Sequence, residues 1–164
     1  MKKTPILLLL FISITATSQE FEVPKDYSFL ELEDYENQRS NVIKAVDWLE
    51  YTPINEQTTK RKAINTFLLE WLTGNTDVSI NIDPDVVTFS DCHECLMIFM
   101  GSWARYALEN KDYKNDFKGN IEGIEAVITI YEKNMETLGN IKAVDKYIKQ
   151  KNKGKLENYI KSKI

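Results

Sequence analysis

The chain has 164 residues, of which 43% are hydrophobic and 28% are charged, and its formal net charge is −4. This length suits one ordinary domain with a single hydrophobic core. The acidic balance argues against a nucleic-acid-binding protein, because such proteins draw much of their affinity from lysines and arginines that neutralise phosphates.

The N-terminal segment has the layout of a secretory signal peptide. Lys2 and Lys3 form a positive n-region, residues 6–12 are an unbroken apolar run, and Ala16-Thr17-Ser18 supplies a small-x-small cleavage site. The apolar run is too short to span the roughly 30 Å hydrocarbon core of a bilayer. No cysteine that could carry a lipid follows it closely.

Export sets the expected location and charge of the mature chain. We expect removal of residues 1–18, which leaves residues 19–164 as a soluble periplasmic or extracellular protein with no stable membrane anchor. Removal of the two lysines moves the net charge from −4 to −6. Residues 142–164 hold eight lysines and two acids, a pattern typical of a solvated helix face or of a surface that contacts an acidic partner.

The apolar residues of the first half recur with a helical period. After an irregular acidic lead over residues 19–38, a first stripe lies within residues 42–49 and ends before Thr52-Pro53. Proline disfavours helical backbone in the residue before it, so a helix should stop there. A second stripe covers residues 64–72 and is followed by Gly74, a plausible residue just past the helix end.

The helical period is lost over residues 77–90. Val78, Ile80 and Ile82 alternate with polar residues, and Pro84 interrupts the pattern. Such alternation is typical of a short strand. We favour an extended connector pressed onto the core, because nothing else in the chain offers a strand partner.

Further helices are predicted after the connector. One should occupy Asp91–Asn110, with Asp91 and Glu94 as a variant of the capping box. Apolar stripes over residues 124–138, 141–148 and 156–160 indicate three more. The chain is therefore predicted to be all-α, a compact bundle of five to six helices.

A degenerate tetratricopeptide-like helical repeat is the alternative architecture. Tyr106–Tyr113 followed by Gly123–Asn134 has the aromatic residue, turn and alanine-containing helix of one such unit. The pattern does not recur at the spacing of about 34 residues that this repeat requires. We therefore prefer the bundle.

The segment Cys92-His93-Glu94-Cys95 contains the only cysteines and the only histidine of the chain. Two cysteines three residues apart at a helix start are close enough to bridge, and disulfides persist in exported proteins. We predict a structural disulfide or two buried thiols. A redox-active pair and a metal site completed by a carboxylate or a second chain stay open, although no proline follows the pair as it does in thioredoxin-like folds.

Asn81, Asp83 and Asp85 copy the first three ligand positions of a calcium loop. The copy then fails, because Val86 stands where the loop needs glycine and Cys92 where it needs a bidentate glutamate. We expect Asp83 and Asp85 to form a turn around Pro84, with calcium binding as the weaker alternative.

No complete catalytic motif is present, and no cofactor is predicted. The chain lacks a Gly-x-Ser-x-Gly elbow and a glycine-rich phosphate loop, and Trp48, Trp71 and Trp103 fall on apolar stripes that predict core positions. We expect a non-catalytic binding or interaction protein of the bacterial envelope, with a protein or small-molecule partner and no nucleic acid. The alternative is a dithiol–disulfide oxidoreductase with Cys92 as nucleophile and Cys95 as resolving thiol.

Several short segments resemble small exported proteins of Bacteroidota-type bacteria. The segments are Val46-Asp47-Trp48-Leu49 before Thr52-Pro53, Phe67-Leu68-Leu69-Glu70-Trp71, Phe99-Met100 with Trp103, and the Ser18-Gln19 junction. The resemblance implies export and a helical fold. It implies no activity, because those proteins carry none that is assigned.

Overall fold

A computed structural model describes residues 20–164, so the predicted signal peptide lies outside the described residues. Within this range the chain forms helices and no strand, which confirms the all-α prediction. The helices are α1 Leu32–Tyr51, α2 Thr58–Gly74, α3 His93–Asn110, α4 Asp116–Lys133, α5 Met135–Leu138, α6 Lys142–Asn152 and α7 Leu156–Lys161. None of them is long and apolar enough to cross a membrane.

Helix α3 is the centre of the bundle. It contacts α1, α2 and α4. Helix α4 in turn also packs against α6 and α7. The three tryptophans lie in this core as predicted: Trp48 and Trp103 are each 1% exposed and Trp71 is 0% exposed. Burial of such large side chains supplies much of the driving force that holds the helices together.

Two glycines allow α4 to approach α3 closely. A Cβ atom at Gly119 would lie 2.1 Å from Trp103 Cε2, and one at Gly123 would lie 2.5 Å from Phe99 Cδ2. Real Cβ contacts are never this short, so any side chain here would push the two helices apart or displace an aromatic ring.

Residues 77–90 form the connector that the sequence predicts, with turns and no strand. Val78, Val86, Val87 and Phe89 are buried in the core. The hydroxyl of Tyr147 on α6 donates to the carbonyl oxygen of Val86 at 2.5 Å, and burial raises the pKa of that hydroxyl. The connector is thus fixed by packing and by this hydrogen bond rather than by a strand partner.

Helix α1 begins earlier than the predicted acidic lead allows. The carboxylate of Asp34 accepts hydrogen bonds from the N–H groups of Leu30 at 2.9 Å and Glu31 at 3.1 Å, and these bonds lower the pKa of Asp34. Acidic residues in a first turn are stabilised by the partial positive charge of the helix N-terminus. Glu33 and Asp34, which the sequence assigns to an irregular segment, therefore lie in the first turn of the helix.

The stripe predicted over residues 124–138 is interrupted at Asn134. This side chain is buried, donates to the carbonyl oxygen of Ile130 at 2.8 Å and accepts from the N–H of Ile54 at 3.0 Å. Ile54 lies in the corner between α1 and α2, so the break ties that corner to α4. The one-turn helix α5 follows, and Gly139 ends it with a φ of 67°.

Candidate functional site

Cys92 and Cys95 are joined by a disulfide at the start of α3. Cys92 is the N-cap residue, and its Sγ accepts a hydrogen bond from the N–H of Cys95 at 3.2 Å. The prediction of Asp91 as N-cap is wrong, because the N–H of Cys92 bonds to the carbonyl oxygen of Phe89 and the preceding turn thereby extends through Asp91.

The two cysteines differ in exposure. Cys95 is 0% exposed, whereas Cys92 is half-buried and lines a groove of about 560 Å³. We call this the disulfide groove; it is lined by Thr88, Phe89, Asp91, Cys92, His93, Glu94, Thr137, Leu138, Asn140, Ile141 and Lys142. Cys92 therefore borders a groove, whereas Cys95 is sealed in the core.

Glu94, between the two cysteines, forms an ion pair with a buried arginine. Arg61 on α2 is 3% exposed and its Nη1 lies 3.2 Å from Glu94 Oε2. The other terminal nitrogen donates to the carbonyl oxygens of Leu49 and Thr52 at the end of α1. Burial lowers the pKa of Arg61, and the Glu94 carboxylate opposes that shift. The first turn of α3 is thus tied to the end of α1.

The segment with the three predicted calcium-ligand positions, Asn81, Asp83 and Asp85, forms a turn. Asp83 Oδ1 accepts from the N–H of Asp85 at 2.8 Å, and the carbonyl oxygen of Asp83 accepts from the N–H groups of Val86 and Val87. Asn81 is exposed beside this turn. In the part of the chain that the structure describes, no group of three or more His, Cys, Asp or Glu side chains is placed to hold a metal ion.

A second groove, of about 570 Å³, lies between the N-terminal segment and α2. We call it the aromatic groove; its lining residues are Tyr27, Ser28, Phe29, Tyr35, Leu69, Glu70, Thr73 and Gly74. The ring centroids of Tyr27 and Phe29 are 5.2 Å apart, and those of Phe29 and Tyr35 are 5.0 Å apart. The three rings form a continuous wall.

Hydrogen bonds fix that wall. Tyr27 donates to Glu70 Oε2 at 2.7 Å, and the Tyr35 hydroxyl donates to the carbonyl oxygen of Phe29 at 3.0 Å. Trp71 Nε1 donates to the carbonyl oxygen of Tyr35, also at 3.0 Å. Burial and the bond to Glu70 raise the pKa of Tyr27 to about 12. The groove is therefore already formed before any partner binds.

Gly74 lies inside α2, as its last residue, rather than just beyond the helix. A Cβ atom here would lie 1.8 Å from the Tyr35 hydroxyl oxygen. The glycine therefore makes room for the end of the Tyr35 ring, and the sequence prediction of a simple helix stop missed this role.

One leucine of the aromatic groove is half exposed: Leu69, in its lining, is 50% exposed. Leu30 follows the lining residue Phe29 in sequence and is 85% exposed, and Leu32, three residues before Tyr35, is 65% exposed. Sequence reasoning missed this groove. The available signal is the presence of Tyr27, Phe29, Leu30 and Leu32 within a segment that is otherwise acidic.

Comparisons of the chain with protein-family models, with curated proteins and with solved structures give no match. The resemblance to small exported Bacteroidota-type proteins stays a prediction. The geometry of the two grooves is therefore the basis for a function.

Proposed function

We propose that the protein is an exported, non-catalytic binding domain of the bacterial envelope that takes a segment of a partner protein into its aromatic groove. The observation that carries the proposal is the preformed aromatic wall with the half-exposed Leu69 in the same groove. Aromatic and aliphatic anchors in a concave site supply most of the binding energy at many protein interfaces.

The magnitudes favour binding at this surface. Full burial of one leucine side chain contributes about 1.5–3 kcal/mol, and Leu69 in the lining, which is 50% exposed, still has about half of that to gain. The aromatic wall is already held by hydrogen bonds, so a partner would spend little free energy in ordering it. The layout of residues 1–18 and the Cys92–Cys95 disulfide support the export part of the proposal.

Selection of peptides from a random displayed library tests the binding role. We expect enriched peptides that bind the wild-type protein and lose affinity for Leu69→Ala. Met135→Ala is the matched control, because Met135 is 51% exposed, like Leu69, but lies on α5. A library that yields no binder, or binders that do not distinguish Leu69→Ala from Met135→Ala, would contradict the proposal.

A second candidate function is dithiol–disulfide exchange at the disulfide groove. It is favoured by the asymmetry of the pair, with Cys92 lining the groove at a helix N-terminus and Cys95 buried behind it. A substrate thiolate would attack Cys92 Sγ, which forms a mixed disulfide and releases the Cys95 thiolate. A second substrate thiolate would then release the substrate disulfide and leave two electrons on the cysteine pair.

Thiol titration distinguishes this candidate from a structural bridge. An exchange-active pair should be reduced by glutathione in the native protein, and the Cys95→Ser variant should trap a mixed disulfide at Cys92. A structural disulfide in an exported protein typically has a potential below about −300 mV and resists glutathione. If glutathione produces free thiols only when the protein is unfolded, the redox function is rejected.

A further inference from the structure

We infer that the aromatic groove is built for a cationic segment, that is, a stretch of partner protein in which lysine or arginine residues are interleaved with apolar ones. This inference rests on the proposed binding role and specifies its partner. It is carried by the hydrogen-bonding chemistry of the groove and by the charge around it.

The groove offers acceptors and aromatic rings, but its hydroxyl groups already donate hydrogen bonds within the protein. Tyr27 donates to Glu70, Ser28 donates to Asp34 at 2.8 Å, and the Tyr35 hydroxyl is likewise used within the protein. Thr73, the remaining hydroxyl in the lining, donates to the carbonyl oxygen of its own helix at Leu69. An anionic ligand would find no free hydroxyl donor here, whereas an ammonium or guanidinium brings its own donors.

Charge in and around the groove has the matching sign. The Glu70 carboxylate lies in the lining and, among the described residues, accepts a hydrogen bond from the uncharged hydroxyl of Tyr27. Residues 20–36 contain seven acids and a single base, Lys25. Among the described residues, Asp26 and Glu33 of this segment form no ion pair. Such a field attracts cations and raises the rate at which they associate.

The aromatic rings add a second interaction with a cation. Tyr27, Phe29 and Tyr35 line the groove next to the Glu70 carboxylate, with the rings of Phe29 and Tyr35 stacked on each other. A lysine or arginine that contacts an outer face of these rings is attracted by the ring quadrupole. The exposed Leu69 lies beside the carboxylate on α2 and would contact an apolar residue next to the cation. Alternating charge and apolarity in the partner satisfies both features.

A second copy of the chain is the competing occupant. Residues 142–164 hold eight lysines and two acids, and α6 and α7, which lie within them, pack on α4 rather than on α1 or α2. That basic surface is therefore not folded back over the groove of its own chain. Sedimentation over a range of concentrations tests this case: self-association abolished by Glu70→Gln would overturn the choice of a different protein as partner.

Three short labelled peptides test the cationic preference, with leucine alternating with lysine, serine or glutamate. We expect the lysine–leucine peptide to bind most tightly in an anisotropy titration. Glu70→Gln removes the charge but keeps an acceptor for the Tyr27 hydroxyl. It should weaken this binding about tenfold, the size of one charge-assisted hydrogen bond. Glu132→Gln, an exposed acid on α4, is the matched control and should have no effect.

The outcomes separate this inference from the binding role. Equal binding of the serine–leucine peptide, or unchanged binding by Glu70→Gln, overturns the cationic preference, while a loss with Leu69→Ala would still support the groove. Lysine–leucine binding that Leu69→Ala leaves unchanged contradicts the groove itself. If no designed peptide binds but the displayed library yields groove-dependent peptides, the cationic inference alone fails.

Discussion

Arg61 is the most buried charged residue of the described chain, with 3% of its surface exposed. It neutralises Glu94 and satisfies the carbonyl oxygens of Leu49 and Thr52. A buried pair of this kind contributes little net stability as it stands, but removal of one partner leaves the other charge uncompensated. The side chain therefore matters mainly because its loss would leave Glu94 and two carbonyl groups without a partner.

We predict that Arg61→Met lowers the free energy of unfolding by about 3 kcal/mol, at the low end of the range for a broken buried pair because Glu94 retains some contact with water. Urea denaturation followed by tryptophan fluorescence measures the loss. Lys62→Met, at the exposed neighbouring position, should change the stability little. A loss below about 1 kcal/mol for Arg61→Met would show that the pair is not structurally important.

The raised pKa of Tyr27 predicts that the stability of the fold depends on pH in the alkaline range. This pKa is raised to about 12, so the folded protein holds the phenolic proton more strongly than the unfolded chain, whose tyrosines titrate near 10. The stabilisation is complete below about pH 10 and is lost as the pH rises through the folded pKa. Tyr27→Phe should therefore weaken the decline of stability in this window. The difference between variant and wild-type denaturation curves is the measurement, with Tyr51→Phe, at an exposed position, as control.

At the scale of one element, the start of α3 combines a disulfide with an N-cap. The bridge closes a very short loop, so its entropic stabilisation is only about 2 kcal/mol in the chain-entropy treatment. The Cys92 sulfur also accepts the N–H of Cys95, as a serine hydroxyl would at an N-cap. The two contributions are separable because serine keeps the second and loses the first.

We predict that Cys92→Ser/Cys95→Ala is more stable than Cys92→Ala/Cys95→Ala by about 1 kcal/mol, the usual value of an N-cap. Both variants lack the disulfide and carry the same change in the core, so their difference isolates the cap. Thermal denaturation monitored by circular dichroism is sufficient. Equal stability of the two double variants would mean that the first turn of α3 is held by the Arg61–Glu94 pair without the cap.

Helices could be predicted from the sequence because their signals are local. The end of α1 before Thr52-Pro53 follows from backbone sterics, and the buried tryptophans follow from the helical period. The predicted start of α3 is one residue too early, because aspartate is a common N-cap residue whereas the turn that Cys92 closes with Phe89 makes Cys92 the N-cap instead. A sequence pattern alone does not resolve a difference of one residue at the start of a helix.

The aromatic groove could not be predicted in the same way, because it exists only through contacts that are distant in sequence. Tyr27 reaches Glu70 across 43 positions, and Tyr35 needs the space left by Gly74. Glu70 itself lies on a solvent-exposed edge of α2. Nothing local indicates that the N-terminal segment returns to cover part of that edge.

At the scale of the whole molecule, the seam between α3 and α4 determines how the bundle closes. Gly123 faces Phe99, and a Cβ atom there would lie 2.9 Å from the Phe99 backbone oxygen as well as against its ring. A backbone atom cannot rotate away, so the helices themselves must separate. That separation would propagate to α6 and α7, which pack on α4.

We predict that Gly123→Ala lowers the free energy of unfolding by about 1–3 kcal/mol, the cost of overpacking a well-filled core, even though alanine favours helix more than glycine does. Glu122→Ala, at an exposed position of the same helix, is the control for propensity and should be neutral or stabilising. Because the aromatic groove lies on α2 and the N-terminal segment, away from this seam, its peptide affinity should be unchanged in Gly123→Ala under folding conditions. A Gly123→Ala protein as stable as Glu122→Ala would show that α3 and α4 can separate without cost.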